Sequence, residues 1–148
     1  MVIEFTVPGK PVGKGRPRVG TIAGHAHMYT PKVTVQYENW IKQCYLKAAG
    51  HTKLLPPLTI KVLATYTVPK SYGKQKRIDC LRGYLRPRKP DWDNIGKVVC
   101  DALNKLAYDD DVDIYDAHVI KRYDEHDMLR IQLTGTAPAA EAAYRGGE

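Results

Sequence analysis

The sequence has few cysteines and no long apolar run, and each absence excludes a class of protein. The three cysteines, Cys44, Cys80 and Cys100, are odd in number and widely spaced, so they fit neither a disulfide framework nor a paired zinc motif. No run of about 18 or more apolar residues occurs, so no membrane-spanning helix is predicted. The opening MVIEFTVPGK does not have the charged-then-apolar order of a secretory signal. We therefore expect reduced thiols and a cytoplasmic protein.

Acidic residues are also in the minority. The chain has 23 Lys and Arg against 16 Asp and Glu, a formal net charge of +7. This excess favours a polyanionic partner, either nucleic acid or an anionic membrane surface. The 148 residues, 43% of them hydrophobic, suit one globular domain, which we place at residues 1–135. The tail 136–148 offers little to a core, and we expect it to be frayed or disordered.

In the first third of the chain, the pattern predicts a strand, a loop and a long helix. Residues 2–7 alternate between apolar and polar as a half-buried strand does, and the basic, Gly- and Pro-rich segment 8–29 is interpreted as a long loop. Thr30 is a good N-cap and Pro31 a good first helical residue. Apolar residues then recur at helical spacing until Gly50, so the helix is expected to end there.

The remaining elements complete an α+β prediction. They are a strand over 58–68 after the break at Pro56-Pro57, a short exposed helix within 71–82, a helix opened by Asp93, and strands near 113–123 and 128–134. The predicted order is β-α-β-(α)-α-β-β. We expect a small mixed β-sheet packed with helices, in which the last two strands form an antiparallel pair.

One acidic neighbourhood stands out in this basic chain, within residues 89–114. Asp91 and Asp93 immediately precede a helix, and the triplet 109–111 follows it. Carboxylates that converge repel one another unless a cation neutralises them, and oxygen ligands of this kind suit Mg²⁺. Such an ion can activate a water molecule and stabilise the charge that develops on a phosphate. The pattern therefore indicates phosphodiester hydrolysis, provided that the two stretches meet in the fold.

The same helix carries Lys97 four residues after Asp93, and Asp101 four residues after Lys97. A lysine beside metal-bound carboxylates could steady the attacking water or the scissile phosphate. Ordinary structural explanations stay open for all of these residues. Asp93 could be a helix N-cap, the aspartate triplet could be a solvated turn, and Lys97 could form a surface pair worth only about 0.3–0.5 kcal/mol. Asp101 is taken as structural.

The basic segment 8–29 supplies the predicted DNA contacts. Lys14, Arg16 and Arg18 are assigned to backbone phosphates. The alternative is a solvated loop that only aids solubility. His25 and His27 alternate as metal ligands can, but they have no third partner and are interpreted as loop histidines.

The string KPDWDNIGKVVCDALN, followed by Tyr108 and then Asp110-Asp111 just before a strand, closely resembles the RusA family of Holliday junction resolvases. The opening VPGKPVGKGRPRV, with YTP before a long helix, is similar to family members of the phage and Gram-positive kind. The resemblance covers about residues 1–135. One departure is Val112-Asp113 in place of the Ser-Gln common after the Asp pair, and it bears on DNA contacts more than on the metal centre.

The resemblance implies roles for individual residues. Asp91, Asp93 and Asp111 match the family's catalytic metal ligands, with Asp110 as the alternative third ligand because three aspartates run together. Lys97 matches its catalytic lysine. The implied protein is a cytoplasmic homodimer with a RusA-like fold. Its implied activity is Mg²⁺-dependent cleavage of four-way DNA junctions in recombination and repair, with no small-molecule cofactor beyond the metal and no membrane partner.

Two other classes of function compete with this one. A catalytically silent binding module for branched or duplex DNA would use the same basic segment, with the acids as caps and turns. A DxD-type phosphatase places its motif after an apolar strand, but here RGYLRPRKP precedes it. A nucleotide-sugar transferase normally needs a longer chain. A metal titration separates the nuclease from the binding module.

Overall fold

The computed structural model describes residues 1–138 and consists of a mixed sheet, a separate hairpin and three helices. The elements are β1 (Val2–Pro8), β2 (Arg18–Ile22), β3 (His25–Tyr29), α1 (Lys32–Ala49), β4 (Leu55–Thr67), α2 (Lys74–Leu81), α3 (Trp92–Leu103), a 3₁₀ turn (Asp111–Asp113), β5 (Ile114–Asp124) and β6 (Met128–Thr136). The predicted α+β class with a small mixed sheet is confirmed. The predicted tail, 136–148, lies mostly outside the described residues.

The four-stranded sheet has the order β1-β6-β4-β5. Strand β6 is antiparallel to both β1 and β4, whereas β5 is parallel to β4. The prediction that the last two strands pair with each other is therefore wrong, because β4 lies between them. The short connection between them passes over the end of β4, where the Thr65 hydroxyl donates to the His126 carbonyl at 2.7 Å and the Thr67 N–H to the Asp127 carboxylate at 2.7 Å. The long apolar strand β4 thus gains a partner on each side.

Helices cover one face of this sheet. The alternating apolar residues of β1, β4 and β6 turn toward that face, where α1 and α3 pack on them. Burial of these side chains is the main favourable contribution to folding. The core includes Ile3, Phe5, Val7, Tyr37, Ile41, Tyr45, Ile60, Val62, Ala64, Ile95, Val98, Val99, Ala102, Leu103, Leu129, Ile131 and Leu133.

The segment predicted as one long loop contains a β-hairpin, so that prediction is wrong for its second half. Strands β2 and β3 pair in antiparallel register around a turn in which Ala23 and Gly24 both have positive φ, 51° and 79°. Two positive φ values are characteristic of tight hairpin turns. Most of the hairpin is exposed on both faces, so its sequence lacks the apolar alternation that identifies a half-buried strand.

Three element boundaries also differ from the prediction. Helix α1 begins at Lys32 with Pro31 as N-cap, in an extended conformation, instead of Thr30. Helix α3 begins at Trp92, with Asp91 in the N-cap position. Strand β4 begins at Leu55, ahead of the two prolines, because the ladder with β6 is irregular there and requires no N–H from proline. Helix α1 ends at Gly50, as predicted.

Within residues 1–138, no helix is both long and apolar enough to cross a membrane. All three cysteines are free. The short helix predicted within 71–82 is confirmed as α2.

Candidate active site

The first acidic pair lies at the N-terminal end of α3, and both of its carboxylates are exposed. The Asp91 backbone carbonyl accepts the Ile95 N–H at 3.2 Å, but its side chain makes no capping hydrogen bond. Its carboxylate lies 3.3 Å from the Lys89 ammonium. The Asp93 carboxylate accepts the N–H of the next residue, Asn94, at 3.0 Å. The alternative of Asp93 as N-cap is wrong, and neither carboxylate is needed to cap the helix.

A cleft of about 490 Å³ opens beside Asp91. Two cations, Lys10 and Lys89, line it together with Asp91. The other lining residues are Pro11, Val12, Gly13, Pro90 and Asn94. Asp91 lies beside two lysines at the N-terminus of a helix, where the backbone N–H groups also favour anions. This arrangement suits a bound phosphate, with one cation lying between the phosphate and the carboxylate.

Strand β5 fixes the loop that carries Asp91. The Lys121 ammonium donates to the backbone carbonyls of Arg88 and Pro90, at 3.0 Å each. The Arg86 guanidinium donates to the Lys121 carbonyl at 3.1 Å. These bonds tie the loop to the edge of the sheet and hold the approach to α3 in one position.

Lys14, which the sequence assigned to DNA phosphates, is partly buried and paired with acids of the protein. Its N–H donates to the Asn94 carbonyl at 2.9 Å, and its ammonium lies 2.6 Å from Glu38 and 3.1 Å from Asp101. Burial lowers the Lys14 pKa, but hydrogen bonds and attraction from Glu38 and Asp101 outweigh it, so the net pKa is raised. Lys14 thus joins α1 to α3. Arg16 and Arg18 are exposed.

At the other end of α3, the structure brings Asp111 together with Lys97 and Asp101. Burial raises the Asp111 pKa, as do a hydrogen bond and negative charge from Asp110 and the charge of Asp101, while Lys97 lowers it. The Lys97 ammonium lies 3.7 Å from Asp101 as an i,i+4 pair. The Asp111 N–H donates to the Asn104 side chain at 3.2 Å. Asp111 is therefore a half-buried acid among like charges.

The three consecutive aspartates have three different surroundings. Asp109 is exposed and pairs with Lys53 at 3.1 Å. Asp110 caps the 3₁₀ turn by accepting the Val112 N–H at 3.1 Å. Only Asp111 turns toward α3. A solvated turn therefore describes Asp109 and Asp110, which are both exposed, but not the partly buried Asp111.

Sequence reasoning missed several residues that shape this region. Lys121 holds the loop of Asp91, and Glu38 shares Lys14 with Asp101. Both residues are distant in sequence from those aspartates, and no local pattern marks them. Lys89 could have been identified, because a cation two residues before the first aspartate is visible in KPD. Tyr108 was noted only as part of a motif. Its buried hydroxyl donates to the Cys100 carbonyl at 2.9 Å and so holds the turn after α3.

Oxygen donors of this kind suit a hard divalent cation. Within residues 1–138, no three or more His, Cys, Asp or Glu side chains lie close enough together to hold a metal ion by themselves. Mg²⁺ usually takes one or two carboxylates and completes its coordination with water and substrate phosphate. The exposed pair Asp91 and Asp93 fits that requirement. The joint role of this pair with Asp111 stays a prediction.

Comparison with known proteins identifies the family. The family model for endodeoxyribonuclease RusA matches residues 8–134, a range that contains both acidic stretches, the hairpin and Lys14. The chain is also 35% identical over 134 residues to the uncharacterized protein YqaN of Bacillus subtilis (strain 168), covering 88% of this chain and 94% of that protein. The chain therefore belongs to the RusA endodeoxyribonuclease family.

Proposed function

We propose that this protein is a Mg²⁺-dependent endonuclease that resolves four-way DNA junctions in recombination and repair. The observation that carries the proposal is the exposed acid pair, Asp91 and Asp93, beside the lysine-lined cleft of a chain with net charge +7. A basic surface attracts the DNA backbone, and the acid pair provides a place for a cation at the bound phosphate. Membership of the RusA family supports the same reaction class.

In this proposal, Asp91 and Asp93 hold the metal, and Asp111, with Asp110 as the alternative, contributes the third carboxylate when the metal and the substrate draw the two acidic stretches together, because within residues 1–138 no three acids lie close enough to hold an ion by themselves. When bound, the ion supplies Lewis acidity and an activated water. Burial and the neighbouring acids Asp110 and Asp101 raise the pKa of Asp111, and a bound cation would favour its charged form.

The lysines have two roles in this proposal, binding of the phosphate and stabilisation of the charge that develops on it. Lys10 and Lys89 in the cleft would hold a phosphate next to Asp91. Lys97, whose side chain is 63% exposed, would offset charge on the phosphate oxygens as the bond breaks. Arg16 and Arg18 would contact the DNA backbone away from the scissile bond.

The test is cleavage of a synthetic four-way junction with and without Mg²⁺, comparing the wild type with Asp93→Asn. Loss of a metal ligand removes several kcal/mol of transition-state stabilisation, so we expect cleavage to fall by about 10²-fold or more. Junction binding should persist, or even tighten, because a charge that repels DNA is removed. Asp109→Asn is the matched control, since Asp109 is an exposed neighbour paired with Lys53, and it should cut normally.

Each result has a clear meaning. Normal cleavage by Asp93→Asn would show that the site is misassigned. Junction binding without Mg²⁺-dependent cleavage by the wild type would instead favour a silent DNA-binding module.

We also propose that the protein acts as a cytoplasmic homodimer. A four-way junction presents two equivalent strands, and a two-fold symmetric dimer would place one active site on each. The free cysteines suit a reducing compartment. Sedimentation of the free protein and of its junction complex measures the stoichiometry.

A further inference from the structure

The β2–β3 hairpin stands apart from the sheet and from the core. Its two strands form a separate two-stranded sheet and pair with each other. An isolated two-stranded hairpin is only marginally stable in water, so an exposed one is a candidate for a binding element. On one face the His27 and Tyr29 rings stack with centroids 5.6 Å apart. A side chain at Gly20 would come within 3.0 Å of both rings, so the glycine allows this packing.

The two faces of the hairpin differ in chemistry. The cross-strand pairs Arg18–Tyr29, Gly20–His27 and Ile22–His25 lie on one face, which we call the ring face. The pairs Val19–Met28 and Thr21–Ala26 lie on the other, which carries no titratable group. Only the ring face therefore combines a guanidinium with imidazole and phenol rings.

The hairpin lies in a stretch of chain without any acid. Between Glu4 and Glu38 the sequence contains five Lys or Arg and two His but no Asp or Glu. In a chain with 16 acidic residues, this acid-free run leaves a net positive charge on the hairpin and its base, carried by the exposed Arg16 and Arg18, whereas Lys14 is paired with acids of α1 and α3. This charge matches a polyanion. It does not suit a second copy of the same chain, which would bring the same cations to the interface.

The base of the hairpin is fixed beside the candidate active site. Gly13 approaches Pro90 so closely that a Cβ at position 13 would lie 2.7 Å from it. The Lys14 N–H bonds to Asn94, the residue after Asp93. The Gly15 N–H donates to the Thr34 hydroxyl at 3.0 Å. A strand of five residues spans about 16 Å, so the hairpin reaches about half a turn along a duplex from its base.

We propose that the β2–β3 hairpin is a DNA-binding arm whose ring face contacts a duplex arm of the branched substrate next to the cleavage site. A two-stranded β-ribbon has dimensions that the major groove admits. Arg18 contacts backbone phosphate, while the exposed His25 and Tyr29 offer hydrogen-bonding groups to the duplex. Lys14 is the anchor that ties this arm to α3 and does not itself contact DNA. The identity of the DNA as a branched substrate rests on the proposed function.

The decisive experiment compares two substitutions that change the net charge equally on opposite faces. His25→Glu puts a carboxylate on the ring face, and Ala26→Glu puts one on the other face at the adjacent position. Both residues are exposed, so neither change disturbs the core. Binding of a labelled four-way junction is measured in EDTA, where cleavage does not interfere. We expect His25→Glu to weaken binding by about tenfold and Ala26→Glu by less than about threefold. Equal affinities for the two variants would overturn the proposal.

A shortened variant tests the whole arm. Arg18 and Tyr29 are cross-strand partners, so replacing residues 19–28 with Asn-Gly closes a two-residue turn in register and leaves the base intact. This variant should bind the junction at least about tenfold more weakly than the wild type while keeping the same sedimentation coefficient without DNA. A change of oligomeric state with unchanged DNA affinity would show that the arm contacts a second copy, and would overturn the proposal.

These outcomes are separable from failure of the proposed function. If the wild type does not cut a junction in Mg²⁺, the nuclease assignment fails, but the two glutamate variants still report on DNA binding by the arm. If the wild type cuts and both glutamate variants bind equally, the arm fails alone.

Discussion

The two ends of α3 both carry aspartates, but their surroundings are opposite. At the N-terminal end, Asp91 and Asp93 are exposed and make only short-range contacts with Lys89 and Asn94. At the C-terminal end, Asp101 forms ion pairs with Lys14 and Lys97, and the half-buried Asp111 lies among like charges. The exposed pair is available to a ligand, whereas Asp101 joins α3 to the segment of Lys14.

This difference predicts which substitutions affect activity and which affect stability. An exposed carboxylate without structural partners can be neutralised at little cost to folding. Replacing a partly buried carboxylate costs more, because its hydrogen-bonding partners are left unsatisfied. We therefore expect Asp93→Asn to change cleavage without changing stability. Substitutions at the other end of α3 should change stability.

The largest stability effect should come from Lys14→Met. This change keeps most of the side-chain volume but removes the ammonium between Glu38 and Asp101, whose side chains are only 15% and 27% exposed. We expect a loss of about 1–3 kcal/mol in the free energy of unfolding, measured by urea denaturation. Lys97→Met is the control, because it contacts the same Asp101 from a more exposed position and should cost about 0.5 kcal/mol or less. Equal losses would mean that burial does not distinguish the two lysines.

A smaller and pH-dependent effect is expected from Asp111→Asn. Because the folded protein raises the Asp111 pKa, its contribution to stability is fully present below the ordinary aspartate pKa and is lost as pH rises through the folded pKa. At pH 7 the carboxylate therefore opposes folding, and the asparagine variant should be more stable by up to about 1 kcal/mol. The advantage should shrink toward pH 4.

Divalent cations extend this measurement. If Asp111 contributes to the proposed metal site, Mg²⁺ should raise the unfolding midpoint of the wild type more than that of Asp111→Asn, since a ligand stabilises the form it binds. An identical Mg²⁺ response in both proteins would remove Asp111 from the ligand set.

The smallest effect should come from Lys53→Ala. The Lys53–Asp109 pair is 3.1 Å long but exposed, at 43% and 76% of the two side chains. Such pairs contribute little in water, so the free energy of unfolding should change by about 0.5 kcal/mol or less. A larger loss would show that the aspartate triplet is more rigidly held than its exposure indicates.

The sequence predicted those elements whose pattern depends on the core. Ile95, Val98 and Val99 mark α3 because helical spacing places them on one buried face, and β1 alternates because only one side is covered. The hairpin was missed because most of its residues are exposed on both faces. The strand order was missed because the pairing of β4 with both β5 and β6 depends on contacts that no local spacing encodes.

The candidate site was predictable in its residue types but not in its partners. The DxD pair and Lys97 are visible as a spaced motif, but Lys14 and Glu38 are 24 residues apart, and nothing in either segment indicates that they meet. The ion pairs of Lys14 depend on how the segment before β2 packs against α1 and α3. For this reason the position of Lys14 in a basic segment did not reveal its pairing with Glu38 and Asp101.

The strand order also determines when the sheet can form. Within the four-stranded sheet, β1 pairs with β6 alone, with Val2 opposite Thr134, so β1 cannot find its partner until β6, which follows β4 and β5 in the chain, has been synthesised. Contacts between distant segments slow folding, and the hydrogen-bonding edge of β1 stays unpaired until β6 has been synthesised. Strand β4 gains β5 first and β6 afterwards. We expect the nascent chain to depend on the early packing of α1 and α3 until residues 128–136 emerge and close the sheet.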